Sequence, residues 1–294
     1  MIVGCVTQLP GGKAATGTGP IQARNGLCQL PVFGPVALKM LKLLANDEAE
    51  VRGVAGLLRS DPALSAELLA VANSSFYGPA HHIDNLARAI LVLGFERTRS
   101  LTLTVALRSF TRHAANPKIM QACWQHNVAA ALLAEELAPL YDIPKDRAYT
   151  AALLHDIGRL GLLKAYGERY APVFAIQHAS LAECLESERR LFEMDHCQAG
   201  LLLTQRWGFP SDYCRVAGCH HGETILAKRE LVSLARTACL LSTALGFQSV
   251  SVAETPSATA IVAGLPASPW TRYTFDEDQL RERIAGQIAN LEWS

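Results

Sequence analysis

The sequence predicts an all-α fold, a smaller helical half followed by a larger helical bundle, and three observations carry that prediction. From Leu27 onward, apolar residues recur at spacings of three and four with few interruptions. The punctuation belongs to helices: Ser and Asp where caps are needed, Pro at first positions, Gly or Pro near the ends. Strand signals are sparse, since the alternating "FQSVSVAE" (247–254) is short and isolated. No internal repeat of fixed period accompanies the pattern.

Residues 1–26, including "GGKAATGTGP", show no sustained period and read as an N-terminal arm. In the first half, 27–115, "VFGPVALKMLKLLAND" places Val36, Met40, Leu43 and Leu44 at helical spacing. "SDPALSAELLAVANSSFYG" opens with Ser60 or Asp61 as cap and Pro62 at the first helical position. It closes in a turn, where Phe76 and Tyr77 read as packing residues and His81 and His82 as loop. "LARAILVLGFERTRSLTLTVALRSF" reads as two helical pieces broken near Gly94.

The second half, 116–248, starts at Asn116 and Pro117 with a long helix, "KIMQACWQHNVAAALLAEELAPLYDIP", ended by Pro139 or Pro144. "KDRAYTAALLHDIGRLG" follows, with Gly158 as its stop. "YAPVFAIQHASLAECLESERRLF", "DHCQAGLLLTQRWGFP", "SDYCRVAGCHHG" and "KRELVSLARTACLLSTALG" complete this half. Residues 249–294 hold a Pro/Ser/Ala-rich linker and a final amphipathic helix, "DEDQLRERIAGQIANLE", with acidic residues at its start.

Half of the 294 residues are hydrophobic and 18% are charged, the balance of an ordered chain with a substantial core. Lys+Arg and Asp+Glu are 27 each, so no global field favours nucleic acid or an anionic membrane. The start of the chain lacks the basic and apolar regions of a signal peptide, and no apolar run reaches the roughly 20 residues of a membrane span. Eight scattered cysteines show no disulfide rhythm. A cytoplasmic protein with reduced thiols is expected.

Histidines then stand out. His126 is in line with Ala130, Leu133 and Leu137, and His196 with Gly200, Leu203 and Trp207. Counting backwards, His220 aligns with Val216 and Tyr213, and His221 with Ala217. His155 and Asp156 directly follow the apolar run Ala151–Leu154. Each imidazole therefore lies on a stripe that should face the core. The intervening lengths allow one helix and its return, so these side chains can converge from several helices, as in bundle metal sites. Histidine with one carboxylate suits a divalent metal such as iron, manganese, zinc or nickel.

"LLHDIGRLGLL", with upstream "WQHN", downstream "DHCQAGLLLTQRWGFP" and then "CHH", resembles the HD superfamily of metal-dependent phosphohydrolases. "LPVFGPVALKMLKLL", "LLRSDPALSAELLAVANSSFYGP" and "IDNLARAILVLGFERTRSLTL" narrow the resemblance to the HDOD domain, a signalling relative of the HD-GYP cyclic-dinucleotide phosphodiesterases. It covers roughly residues 27–248 and implies an HD-domain-like multi-helix bundle preceded by a smaller helical subdomain. It also implies that His126, His155, Asp156 and His196 occupy metal-ligand positions, and that His220 and His221 match a histidine pair extending the site. Arg159 falls where active relatives carry a phosphate-holding lysine, so Asp156 and Arg159 would be the catalytic residues of an active enzyme.

Two features depart from that pattern. "GETILAKREL" after the histidine pair contains no GYP segment, and Arg236 in "LVSLARTACLL" stands where the superfamily closes its site with aspartate. A guanidinium there replaces a ligand charge with its opposite. The expectation is a regulatory module that contacts other signalling proteins and retains a degenerate metal pocket open to a nucleotide or phosphate. The alternative is a working phosphohydrolase, with cyclic dinucleotides among its candidate substrates.

Other patterns read more plainly. Cys214 and Cys219 lie about 140° apart around a helix, so with His220, His221 and Cys197 they make a poor zinc knot and pack as small apolar residues. The basic run Arg97, Arg99, Arg108, Arg112 and His113 reads as a solvated face rather than a DNA-reading helix.

Overall fold

The computed structural model describes residues 23–43, 51–73, 82–222, 226, 228–266 and 276–292, and among these the periodic stretches become fifteen helices. The first half supplies α1 (Ala23–Gln29), α2 (Pro35–Leu43), α3 (Val51–Arg59), α4 (Pro62–Ala72), α5 (Leu86–Leu93) and α6 (Phe95–Thr111). The second supplies α7 (Pro117–Tyr141), α8 (Lys145–Leu154), α9 (Ile157–Ala175), α10 (Leu181–Phe192), α11 (His196–Arg206), α12 (Ser211–Cys219) and α13 (Leu231–Ala244). Two more, α14 (Ala258–Ala263) and α15 (Glu277–Glu292), follow. The alternating 247–254 stretch forms no sheet; among the described residues it gives an isolated parallel bridge between His178 and Val252.

Several boundaries follow the predicted chemistry. Asp61 accepts from the Leu64 amide at 3.0 Å and caps α4, with Pro62 in its first turn. Gly94, at φ 76°, divides α5 from α6 in a backbone region that favours glycine. Others differ. Helix α1 begins at Ala23, inside the expected arm, because Ala23 and Leu27 bury against the second half. Pro139 lies within α7, close enough to its end that only the last turn loses bonding, and Asp142 closes the helix in the left-handed region. Pro144 instead stands at the start of α8. Phe76, Tyr77 and His81 lie outside the described residues; His82 is exposed.

Helix α7 is the centre of the larger half and packs against α8 and α13. Its buried Ala129, Ala130, Ala131 and Ala134 let those helices approach closely. Helix α9 lies against α11. One apolar core runs through both halves, from Leu58 and Leu68 to Leu133, Leu203 and Ile284. An aromatic seam joins them: Phe33 lies 5.9 Å from Trp207 and 5.7 Å from Phe209, and Phe110 lies 5.6 Å from Trp207, ring centre to ring centre. Helix α15 buries Leu280, Ile284, Ile288 and Leu291, a stripe at spacings of four, four and three, and Arg283 pairs with Glu136 at 2.7 Å.

The basic run around α6 is largely turned to internal use. Arg97 pairs with Glu135 at 2.8 Å, Arg99 with Asp146, and Arg112 with Glu67 at 2.6 Å. The described cysteines are free thiols. Among the described residues no helix is long and apolar enough to cross a membrane.

Candidate metal centre

The stretch "TAALLHDIGRLG" folds as the end of α8 and the start of α9, with His155 and Asp156 at the junction. Gly158 does not stop a helix; it lies in the first turn of α9. A Cβ on Gly158 would stand 1.9 Å from the His196 carbonyl oxygen and 2.4 Å from the Gly200 amide nitrogen. The glycine is there for close approach, and that approach brings the start of α11 up to Asp156.

Helix α11 is held at the same end by a capping box. Asp195 Oδ1 accepts from the Gln198 amide at 2.9 Å, and Gln198 Oε1 accepts from the Asp195 amide at 3.0 Å. Arg189 pairs with the Asp195 carboxylate at 2.7 Å. Asp195→Ala is therefore expected to cost about 1–2 kcal/mol of folding stability, read as a lower urea midpoint with unchanged slope. A midpoint equal to wild type would show that the cap does not hold this end of α11.

Five of the predicted residues, His126, His155, Asp156, His196 and His220, are almost fully buried and converge from α7, the α8–α9 junction, α11 and the end of α12. The rings of His126 and His155 are 5.1 Å apart, those of His155 and His220 4.9 Å, and those of His196 and His220 5.5 Å. His221 completes the set, half-buried, with its ring 4.0 Å from His220 and 5.0 Å from His196.

Each of the four buried imidazoles has an oxygen acceptor at Nδ1. His126 Nδ1 is 2.8 Å from the Phe247 carbonyl and His155 Nδ1 is 2.6 Å from that of Ala152. His220 Nδ1 is 3.2 Å from the carbonyls of Val216 and Ala217, and His196 Nδ1 is 2.7 Å from Glu188 Oε2. The carbonyl oxygens cannot donate, so the Nδ1–H groups of His126, His155 and His220 donate to them and their Nε2 lone pairs turn inward. Such outer anchoring fixes the tautomer of metal-binding histidines. Burial lowers the pKa of His126 and His220 and takes His155 down to about 4, which keeps these rings neutral at pH 7. At His196 burial and the Arg159 guanidinium oppose a charged ring, but the Glu188 and Asp156 carboxylates outweigh them and hold its pKa well above the ordinary imidazole range.

Asp156 is the carboxylate at the middle. Burial alone would raise its pKa, but the Arg159 guanidinium and surrounding histidines hold it well below the usual range. Its Oδ1 has no hydrogen-bond partner and lies 3.3 Å from His196 Nε2 and 3.9 Å from His220 Nε2, itself unpartnered. Arg159, nearly fully buried, donates from Nε to Asp156 Oδ2 at 2.8 Å. Its two terminal nitrogens reach Glu188 Oε1 at 3.2 Å and His196 Nε2 at 3.2 Å. Tyr170 donates to the same Glu188 oxygen.

Arg236 does not project among the donors as the sequence suggested. Its guanidinium donates to the carbonyls of His220, at 3.5 Å, and Gly222. A cation at the end of α12 satisfies carbonyls that the helix leaves open. Cys239, one turn further along α13, comes to the centre instead, with Sγ 3.6 Å from His126 Nε2. Ser242 Oγ, on the same face, lies 3.0 Å from His126 Nδ1.

Cys239, Glu188 and Tyr170 were not singled out from the sequence. For Glu188 a signal existed: Leu181, Cys184, Glu188 and Phe192 share one helical stripe, which puts a carboxylate among apolar neighbours. Cys239 had none, because a buried thiol on an apolar face is ordinary packing. A cleft opens onto the centre, lined by His126, Asp156, His221 and Cys239 together with Val250 and Val252.

An all-helical bundle with a buried histidine–aspartate centre at a helix junction defines an HD-type scaffold. The HDOD domain model matches residues 30–223, and the chain belongs to the HDOD domain family. Its fold is similar to that of an HDOD domain protein with unknown function from Geobacter sulfurreducens (TM-score 0.68, 21% identity, 92% of this chain and 94% of that one). It is also similar to a protein provisionally named a phosphohydrolase from Shewanella amazonensis SB2B (TM-score 0.65, 20% identity, 94% and 97% covered). Among curated proteins, an uncharacterized protein of Treponema pallidum (strain Nichols) is 21% identical over 197 residues, 65% of this chain. The match spans 37% of that relative's length.

Proposed function

We propose that this chain is a regulatory HDOD module, acting through contacts with other signalling proteins, whose metal pocket is retained but not arranged for rapid turnover. The observation that carries this reading is Arg159. An internal cation already pairs with the central carboxylate and lies against the His196 ring, so Asp156 and His196 are engaged before any ligand arrives. The lysine of active relatives offers a compact charge to phosphate; the guanidinium fork here is directed at Asp156, Glu188 and His196.

The residues fit a divalent metal. Inward Nε2 lone pairs on neutral imidazoles, and the unpartnered Asp156 Oδ1 and His220 Nε2, are the donor chemistry such an ion takes. His126, His155, Asp156, His196, His220 and His221 would line its pocket. When bound, it supplies Lewis acidity and an activated water. The protein's own part is to exclude solvent, fix the imidazole tautomers and keep Asp156 ionised. A nucleotide or phosphate in the adjoining cleft would then be sensed rather than consumed.

The second reading, a phosphohydrolase, draws support from the intact set of convergent histidines beside an open cleft. Elemental analysis of purified protein, followed by phosphodiesterase and phosphatase assays with added manganese or iron, separates the two. Bound metal with no turnover is the expected result. Turnover abolished by His155→Ala would overturn the regulatory reading.

A further inference from the structure

We infer that Cys239 is itself a metal ligand, and that His126, His155 and Cys239 form a three-donor site for zinc rather than manganese or magnesium. The inference rests on the metal pocket proposed above and assigns its ligand chemistry. The three donor atoms lie within 4.8 Å of one another. The two measured edges are 3.2 Å, between His126 Nε2 and His155 Nε2, and 3.6 Å, between His126 Nε2 and Cys239 Sγ. Tetrahedral zinc, with bonds of about 2.05 Å to nitrogen and about 2.3 Å to sulfur, has edges of about 3.3 Å and about 3.6 Å. These two edges match the ion's own polyhedron, and the third, from His155 to Cys239, is within 4.8 Å.

The imidazoles add a second, independent reason. His126 and His155 both commit their Nδ1–H to backbone carbonyls, so two Nε2 lone pairs face each other across 3.2 Å. Lone pairs at that distance repel unless a cation stands between them. Helix α13 supplies the third donor. Arg236 turns to the His220 and Gly222 carbonyls past the end of α12, and the next turn of the same helix presents the Cys239 sulfur to His126. Coordination takes the thiolate, its proton passing to solvent. Thiolate is a soft donor that favours zinc over manganese or magnesium, which prefer oxygen. The remaining coordination position faces the cleft, which His126, Asp156 and Cys239 line together.

The test is titration of the metal-free, full-length chain with Co²⁺, a visible stand-in for zinc. The expected result is a near-ultraviolet thiolate-to-cobalt charge-transfer band, reversed by excess Zn²⁺. Cys239→Ser should remove the band and weaken Co²⁺ binding by roughly tenfold or more. Cys184→Ser, a thiol change in the same cleft, should leave the band in place. Should Cys239→Ser fail to fold, X-ray absorption of the zinc-loaded wild type decides, with a sulfur at about 2.3 Å expected. Binding of Co²⁺ with no thiolate band, or a band that survives in Cys239→Ser, overturns the assignment and leaves the pocket standing. If neither Co²⁺ nor Zn²⁺ binds, the pocket and the assignment fall together.

Discussion

Gly158→Ala is expected to lower folding stability by about 3 kcal/mol or more, the upper range for forcing a methyl group into packed structure. The atoms in its way are all backbone: the His196 carbonyl oxygen at 1.9 Å, the Gly200 amide nitrogen at 2.4 Å and the Gly200 Cα at 2.9 Å. A flexible side chain could swing aside, but these atoms are fixed in the first turns of α11, behind the Asp195 capping box. The two helices must separate, and with them Asp156 from His196. Gly200→Ala should be milder, since a Cβ there meets its nearest neighbour, the Ala217 carbonyl oxygen, at 3.2 Å. Urea unfolding followed by circular dichroism reads both. Equal losses in the two variants would refute the close approach as the reason for Gly158.

Arg159→Met should produce the second large effect, with a more specific signature. It strips the cation from between Asp156 and Glu188, two carboxylates that are almost fully buried. Removing one partner of a buried ion pair costs about 3–5 kcal/mol. The loss should be partly recoverable, because a divalent ion can neutralise Asp156 where the guanidinium no longer does. Thermal unfolding with and without Zn²⁺ should show a larger metal-induced rise in Tm for Arg159→Met than for wild type, since ligand stabilisation grows with affinity. An equal rise in both would mean that Arg159 does not compete with metal. Arg159→Lys should fall between them, keeping the charge but losing the fork.

How far the site could be read from sequence depended on where each residue got its partner. His126, His155, His196 and His220 were visible because a polar ring on an apolar stripe demands an explanation within its own helix. The aspartate beside His155 came with them. Arg236 was placed at the site by the resemblance alone, which puts it near the centre but does not say which way its long side chain turns. The carbonyls that draw it away, those of His220 and Gly222, lie just past the end of α12, and a one-dimensional pattern holds no record of them. Gly158 was misread for a similar reason. Glycine after an apolar run is a normal helix stop, and only the neighbouring α11 shows that space, not termination, is what it provides. The helical architecture itself was legible because its periodicity is local, whereas the junction of α8 and α9 inside one continuous apolar stretch was not.

The aromatic seam gives the centre a mechanical connection to the rest of the molecule. His196 is the first residue of α11 and Trp207 its C-terminal cap, so a rod of about 16 Å joins them at 1.5 Å per residue. At the far end Trp207 is wedged between Phe33 and Phe110, side chains of the first half. A displacement of His196 would therefore be carried along a stiff helix to an indole at the joint between halves. Under the regulatory reading proposed above, that joint is where a partner would feel a change at the centre, and a Trp207→Phe variant isolates this indole's share of the fluorescence of the four tryptophans.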